Sequence, residues 1–247
     1  MYHIAIPSYS RSDVIGSKSL ATLEKYGIPK DKITIFVVRE EFLAYKKTCP
    51  GYQIVIGVKG LVEQREFIEN WYDLDTNILF MDDDVSDLLH FSGEKSREPV
   101  SDLNQFISDG FQKMSEVGAT IWGIYPLDNC LYAYNSKVIS VGLYYIVGTF
   151  YGQKNTRDIH LTKEYGSVED RERTILRYLR DGKVLRFNRI GLRTKYFAPG
   201  GLMSEDRPKI HQIASEALVK KYPKLLRLKT RTNGYVDCQV RIKLNKI

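Results

Sequence analysis

The first half of the chain alternates short apolar runs with segments whose apolar residues recur at helical spacing. Tyr2–Pro7, Ile33–Val38, Gln53–Gly57 and Asn77–Met81 are rich in β-branched or aromatic residues. Each is followed by turn-forming or polar residues, so each predicts a strand. Between them, Asp13–Tyr26, Glu40–Lys47 and Leu61–Tyr72 predict helices; in the last, Leu61, Arg65, Ile68 and Tyr72 share a face. Strand alternating with helix predicts an α/β fold with a mostly parallel central sheet flanked by helices.

After Asp84 the pattern loosens. Residues 92–102 read as a loop or linker, and Leu103–Val117 as a helix with apolar Leu103, Phe106, Ile107, Phe111, Met114 and Val117. Ala119–Tyr125, Leu131–Asn135, Leu143–Phe150 and Val184–Ile190 read as further strands. Glu169–Asp181 reads as a helix closed by Gly182, and Pro208–Tyr222 as another with Pro208 in its first turn. No internal repeat interrupts this order.

Composition narrows the class without naming it. In 247 residues, 43% are hydrophobic and 27% charged, the balance of a folded chain with a sizeable core. No apolar run reaches the length of a membrane span. The N-terminus has no basic region followed by an apolar stretch, so no secretory leader is expected there. Cys49, Cys130 and Cys238 are scattered and odd in number, which predicts neither a disulfide framework nor a zinc cluster and suits a reducing, cytoplasmic setting.

Charge changes the picture more. Residues 1–170 hold 17 basic and 24 acidic side chains, net −7, whereas residues 171–247 hold 20 and 6, net +14. An acidic front and a cationic end suggest a surface that meets a polyanion. A solvated cationic face is the plainer alternative.

The most informative stretch is Asn77-Ile78-Leu79-Phe80-Met81-Asp82-Asp83-Asp84, an apolar strand ending in three carboxylates. Alternation along an extended backbone lets Asp82 and Asp84 point the same way. Adjacent anions repel unless a cation or donors compensate them. In open α/β sheets ligands bind beyond the carboxyl ends of strands, where this triplet falls. Hard oxygen donors suit Mg²⁺ or Mn²⁺ bridging to phosphate oxygens. A solvated acidic turn is the competing reading.

Four features in order now resemble the GT-A glycosyltransferases, enzymes that use nucleotide sugars. They are Ile4-Ala5-Ile6-Pro7-Ser8-Tyr9-Ser10-Arg11, Gly60-Leu61-Val62-Glu63-Gln64-Arg65, the Asp82-Asp83-Asp84 strand end, and Val168-Glu169-Asp170 opening a basic helix. The resemblance covers roughly residues 1–205. It implies a GT-A domain with a donor-binding half (about 1–90) and an acceptor half (about 91–205), followed by a basic C-terminal extension over 206–247. Within that superfamily the chain looks most like the short glycosyltransferases of DNA-modifying phages and of base J synthesis. The small size, the compact Met81–Val85 element, Gly200-Gly201 and the cationic end carry that narrower likeness.

The resemblance implies roles position by position. Pro7, Ser8, Tyr9 and Arg11 would line a uridine pocket. Arg65, with Gln64 beside it, would touch the diphosphate or base. Asp82 and Asp83 would belong to the donor site, with Asp82 on the ribose or sugar, and Asp84, with Asp82, would hold Mn²⁺ or Mg²⁺. Asp170 or Glu169 would be the general base. A UDP-sugar would be the donor, and DNA carrying 5-hydroxymethylcytosine or 5-hydroxymethyluracil the acceptor of glucose or arabinose, with inversion at the anomeric carbon. Arg171, Arg173, Arg177, Arg186, Arg189, Arg193, Lys195 and Arg207 would meet the DNA phosphates, whose contacts position a duplex without reading it.

Read without the resemblance, the same residues allow plainer roles. Arg11 suits a surface position, Arg65 an ion pair with Glu69 at helical spacing, and Glu169 and Asp170 a helix N-terminus. His160 and His211 are the later histidines, neither assigned as a ligand. Tyr144, Tyr145, Phe150 and Tyr151 are candidates to stack on an extruded base, with Gly148 and Gly152 allowing close approach. Gly200-Gly201, with Glu205, Asp206 and Arg207 after it, reads as a loop able to close over a donor. The competing functions are a transferase acting on a polysaccharide, lipid or protein, a two-metal phosphoryl or nucleotidyl transferase, and a non-enzymatic DNA-binding module.

Overall fold

The computed structural model describes residues 1–193, 207–231 and 234–241. In chain order its elements are β1 (His3–Pro7), α1 (Ser19–Lys25), β2 (Ile33–Val37), α2 (Phe42–Thr48), β3 (Gln53–Ile56), α3 (Leu61–Trp71) and β4 (Asn77–Met81). Next come β5 (Asp87–His90), β6 (Glu98–Pro99), α4 (Leu103–Glu116), β7 (Ile121–Ile124), α5 (Cys130–Tyr134), β8 (Ile139–Gly142) and β9 (Phe150–Lys154). The last are α6 (Glu169–Asp181), β10 (Val184–Phe187), β11 (Ile190–Arg193), α7 (Arg207–Lys221), β12 (Leu226–Thr230) and β13 (Val236–Val240).

The central sheet has eight strands in the order β3-β2-β1-β4-β9-β7-β10-β8. Strands β1 to β4 pair in parallel, as do β7 and β10, whereas β9 and β8 run against their neighbours. The expected mostly parallel α/β sheet is therefore present. The residues that follow β1, β4, β7 and β10 emerge at one edge, and so do those that precede β9. β11, β5 and β6 form a smaller antiparallel sheet.

One apolar cluster takes Leu20 and Leu23 of α1, Tyr45 of α2 and Leu103, Ile107, Phe111 and Met114 of α4. A second takes Ile68 of α3 with Phe36, Phe80 and Tyr151, and Tyr178 of α6 packs against it. A third joins Val168 and Ile175 to Ala214 and Leu218 of α7 and to Leu226, Cys238 and Val240 of the β12–β13 ribbon. The described part of the segment read as a C-terminal extension thus shares a core with α6. Cys49, Cys130 and Cys238 are free thiols. Among the described residues, no helix is long and apolar enough to cross a membrane.

Four sequence expectations need correction. Leu131–Asn135 is not a strand: Cys130–Tyr134 is helical, and the Asn129 side chain caps it by accepting from the Tyr132 N–H at 3.3 Å. Its run of apolar residues was ambiguous because a short run fits either period. Leu143–Phe150 is irregular until β9 begins at Phe150; Leu143, Ile146 and Val147 are buried without joining a strand ladder. Val184–Ile190 divides into β10 and β11, because the Asn188 amide turns away to donate to Lys137 O at 2.6 Å and Ser140 Oγ at 2.8 Å. Asp13–Tyr26 becomes helical only from Ser19, after a 3₁₀ turn at Ile15–Ser17. Gly182 closes α6 in the left-handed region (φ 72°), as expected.

Candidate active site

The end of β1 lies beside the end of β4, which brings Ser8–Arg11 against the acidic triplet. Asp83 turns inward. Its carboxylate accepts from Ser8 Oγ at 2.5 Å and from Arg11 Nη1 at 2.7 Å, and the same Arg11 nitrogen reaches Asp84 Oδ2 at 2.8 Å. Ser8 also bonds the Tyr45 hydroxyl at 2.6 Å. Arg11 is therefore a built part of the site, not a free surface residue. Ser19 shapes the turn itself: its hydroxyl donates to Asp82 O at 2.6 Å and accepts from the Val85 N–H at 3.0 Å.

Asp82 faces a different guanidinium. Arg65 Nη2 reaches Asp82 Oδ1 at 3.3 Å and the Gly148 carbonyl at 3.2 Å. Arg65 is 3% exposed and lies 5.0 Å from the Phe80 ring and 5.5 Å from Tyr151, which stack on each other. Arg65 does not pair with Glu69, whose carboxylate accepts from Gln153 Nε2 at 2.6 Å instead. Gln64 is buried and accepts the Val58 N–H at 2.8 Å, so it braces the loop before α3. Tyr9 is partly exposed, with the Lys59 ammonium 5.5 Å from its ring centre, and Pro7 lines the cleft.

Burial, and the neighbouring carboxylates Asp83, Asp84 and Glu169 against the opposing Arg65, push the Asp82 carboxyl up to about 7. Three aspartates face two guanidinium groups, so the strand end keeps an excess of negative charge. Among the described residues no cluster of three or more His, Cys, Asp or Glu side chains converges on one point. Mg²⁺ and Mn²⁺ do not need one, since they accept one or two carboxylates and complete their shell with water and substrate phosphate. Asp82 and Asp84 fit that donor set; Asp83 is committed elsewhere.

Glu169 and Asp170 open α6, and Gly148 is the bridge to them. A Cβ built on Gly148 would come within 3.0 Å of Glu169 Oε1 and 3.4 Å of Asp170 Cβ, so a side chain there would crowd the two carboxylates at the start of α6. At Gly152 the close approach is to the protein's own Trp122 indole, which a Cβ would meet at 2.1 Å. The Gly148 N–H points to Asp170 Oδ2 at 3.4 Å, the Tyr145 hydroxyl donates to the same oxygen, and Arg171 Nη1 reaches Asp170 Oδ1 at 3.0 Å. Burial alone would raise the Asp170 carboxyl, but Arg171, the Tyr145 hydroxyl, Arg173 and the Gly148 N–H outweigh it and hold it below the usual aspartate range. Glu169 is buried against Arg173 Nη1 at 2.5 Å, and burial pushes its carboxyl up. Both line the cleft, and Asp170 is the ionised and more exposed member of the pair.

The network continues into the C-terminal lobe. Arg171 Nη2 meets Asp237 at 3.0 Å, and Asp237 also contacts His211 Nε2 at 3.1 Å and Arg231 Nη2 at 2.6 Å. The second ring nitrogen of His211 lies 3.2 Å from the Ser167 carbonyl. His211 is buried in this network, and His160 is exposed. Tyr145 was expected only as a stacking aromatic, and Asp237 was not singled out. No local pattern marks either, because their partners are distant in the chain.

The arginines expected to meet phosphates divide sharply. Arg173 and Arg177 are 2% and 0% exposed: Arg173 lies 3.8 Å from the Tyr151 ring and pairs with Glu169, and Arg177 donates to Thr120 and Thr156. They are interior residues of α6 and present no polyanion-binding face. Arg171 is spent on Asp170 and Asp237. Arg189 is half-buried against Tyr134, Arg193 is exposed, and Arg186 is buried at the cleft wall. Lys195 and residues 200–206, expected as a closing loop, lie outside the described residues, as does the side chain of Arg207. Phe150 and Tyr151 are core residues and cannot stack on a ligand.

These parts line one cleft of about 1800 Å³. A single small-molecule site usually occupies roughly 300–1,000 Å³. The cleft runs from Pro7, Arg11, Gly60 and Asp84 past Gly148 and Asp170 to Tyr125 and Arg186, and on its far side to Lys224, Arg227 and Arg231.

No family model matches the sequence, and no curated protein matches it. Solved structures do match its shape. Residues 1–349 of S. aureus TarS superpose with a TM-score of 0.53 at 14% identity, covering 88% of this chain and 65% of that one. The same protein in complex with UDP-GlcNAc gives 0.52 at 16% identity, over 88% and 66%. The mannosyltransferase PcManGT from Pyrobaculum calidifontis, in complex with GDP-Man and Mn²⁺, gives 0.53 at 12% identity, over 90% and 63%. The chain therefore spans about two-thirds of each of these solved chains, of which the TarS one is itself only residues 1–349. At these identities the likeness is one of architecture: the chain is folded as GT-A-type nucleotide-sugar transferases are.

Proposed function

We propose that the protein is a metal-dependent glycosyltransferase that moves a sugar, arabinose or glucose, from a UDP-sugar to the hydroxymethyl group of a hydroxymethylpyrimidine in DNA, inverting the anomeric carbon. One observation carries the reading. A strand-end Asp82/Asp84 pair and an ionised Asp170 face one cleft, joined through Arg65 and the Gly148 backbone.

Asp82 and Asp84 would hold Mn²⁺ or Mg²⁺, which when bound supplies positive charge to a departing diphosphate. Arg11 and Arg65 keep those carboxylates oriented. Pro7, Ser8 and Tyr9 supply the wall for the base. Asp170 accepts the proton of the acceptor hydroxyl, and Tyr145 and Arg171 aim its oxygens. One carboxylate acting opposite the leaving group suits single displacement. The acceptor assignment is supported by the exposed cations Lys224, Arg227, Lys229 and Arg231 beside the acceptor half and by the sequence resemblance to the phage enzymes.

The test is mass spectrometry of hydroxymethylated DNA after incubation with a panel of UDP-sugars and Mn²⁺ or Mg²⁺. A pentose or hexose added to the base is the expected result. No added mass with any donor, while a glycan or polyol acceptor is modified, would replace the DNA reading with a different transferase.

A further inference from the structure

Arg186 is the unusual cation of the cleft. It lies on β10, in the acceptor half of the sheet, and is only 6% exposed. Nε donates to Asn188 Oδ1 at 2.7 Å and Nη1 to the Tyr145 carbonyl at 3.4 Å. The guanidinium carbon is 5.3 Å from the Tyr125 ring centre and 5.0 Å from that of Tyr144. Among the described residues no carboxylate pairs with it. Arg11, Arg65, Arg171 and Arg231 line the same cleft, and each has an aspartate partner; Arg227 and Arg241 line it without one among the described residues but are exposed to solvent.

Burial lowers the Arg186 guanidinium to about 10, which leaves it charged at neutral pH. A desolvated charge without a counterion is costly, and tyrosine faces and two neutral acceptors offset that only in part. A guanidinium fork kept in this state at the wall of an open cleft is matched to an oxyanion that arrives with a ligand. Tyr145 fixes where that oxyanion lies. Its carbonyl accepts from Arg186 and its hydroxyl donates to Asp170, so anion and proton acceptor are one side chain apart.

We propose that Arg186, flanked by Tyr125 and Tyr144, is an acceptor-side oxyanion subsite that takes the phosphodiester next to the reacting hydroxyl and so sets that hydroxyl against Asp170. This rests on the sugar-transfer reading and names the residue that positions its acceptor.

Two measurements test it separately from that reading. Inorganic phosphate is titrated into protein saturated with UDP and followed by the ring resonances of Tyr125 and Tyr144. Saturable shifts are expected, weakened about tenfold or more in Arg186→Gln, the loss of one charged hydrogen-bonding partner. Arg186→Lys, which keeps the charge, should retain part of the binding, so poor folding of the glutamine variant leaves the question answerable. Absent shifts, or equal shifts in wild type and both variants, overturn the subsite. In the second measurement, a hydroxymethylpyrimidine oligonucleotide carries one neutral methylphosphonate beside the modified base. The neutral link should raise the acceptor KM of wild type about tenfold and add nothing to the defect of Arg186→Gln. Equal penalties in both proteins overturn the proposal. If wild type modifies no oligonucleotide, the DNA acceptor falls, and the phosphate titration still decides the subsite.

Discussion

Asp170 is held by three directed groups: two donors on one oxygen and a guanidinium on the other. That arrangement keeps it ionised and aimed, at the cost of basicity. Asp170→Asn keeps the shape and removes the proton acceptor, so the transfer rate should fall about 10²–10⁴-fold with UDP binding retained. Steady-state kinetics beside UDP titration checks this, and full turnover in the asparagine protein would remove Asp170 as the base. At this scale much was legible. The Asp82–Asp84 and Glu169-Asp170 clusters are contiguous, and contiguous carboxylates announce themselves in a sequence. Tyr145 was readable as an aromatic but not as the donor that orients Asp170, because that bond joins a loop to a helix 25 residues away.

At the scale of elements, tight packing around Trp122 decides where the strands can lie. Phe106, Phe111, Phe150 and Phe187 meet its ring edge to face, with centroids 5.6–6.1 Å apart. β9 can pass this cluster only because Gly152 has no side chain to collide with the indole. Gly152→Ala should therefore cost about 1–3 kcal/mol through overpacking, seen as a lower urea midpoint with an unchanged m-value. An unaltered midpoint would mean that the indole moves aside freely. Period and punctuation located the early strands and helices well, since each joins its neighbours in a regular alternation. They failed at Leu131–Asn135 and Leu143–Phe150, where a capping Asn129 and contacts from several elements outweigh local preference.

At the scale of the molecule, Asp237 ties the α7–β12–β13 lobe to α6 through Arg171, with His211 and Arg231 around it. Burial opposes its charge, but the His211 hydrogen bond and the two arginines outweigh that and hold its carboxyl well below the usual aspartate range. A depressed folded-state value means the stabilisation is present above the unfolded value near pH 4 and is lost as pH falls below it. Asp237→Asn should lower stability at pH 7 by about 3 kcal/mol, since Arg171 would keep a buried charge without this partner. The deficit should shrink as pH drops below about 4. Thermal melts of both proteins from pH 7 to pH 3 check this, and a deficit independent of pH would count against an electrostatic role for the network.

The order of residues by itself determined the α/β alternation, the acidic strand end and its position at a carboxyl edge, because periodicity and contiguity are local properties. Tertiary structure alone decided which charges face the cleft. Along the sequence Arg173, Arg177 and Arg186 look alike, yet the first two are consumed by the interior of α6 and the third meets the cleft with no carboxylate partner among the described residues. The reason is physical: a side chain's charge is written in the sequence, but its counterion and its contact with water are set by whatever the fold packs against it.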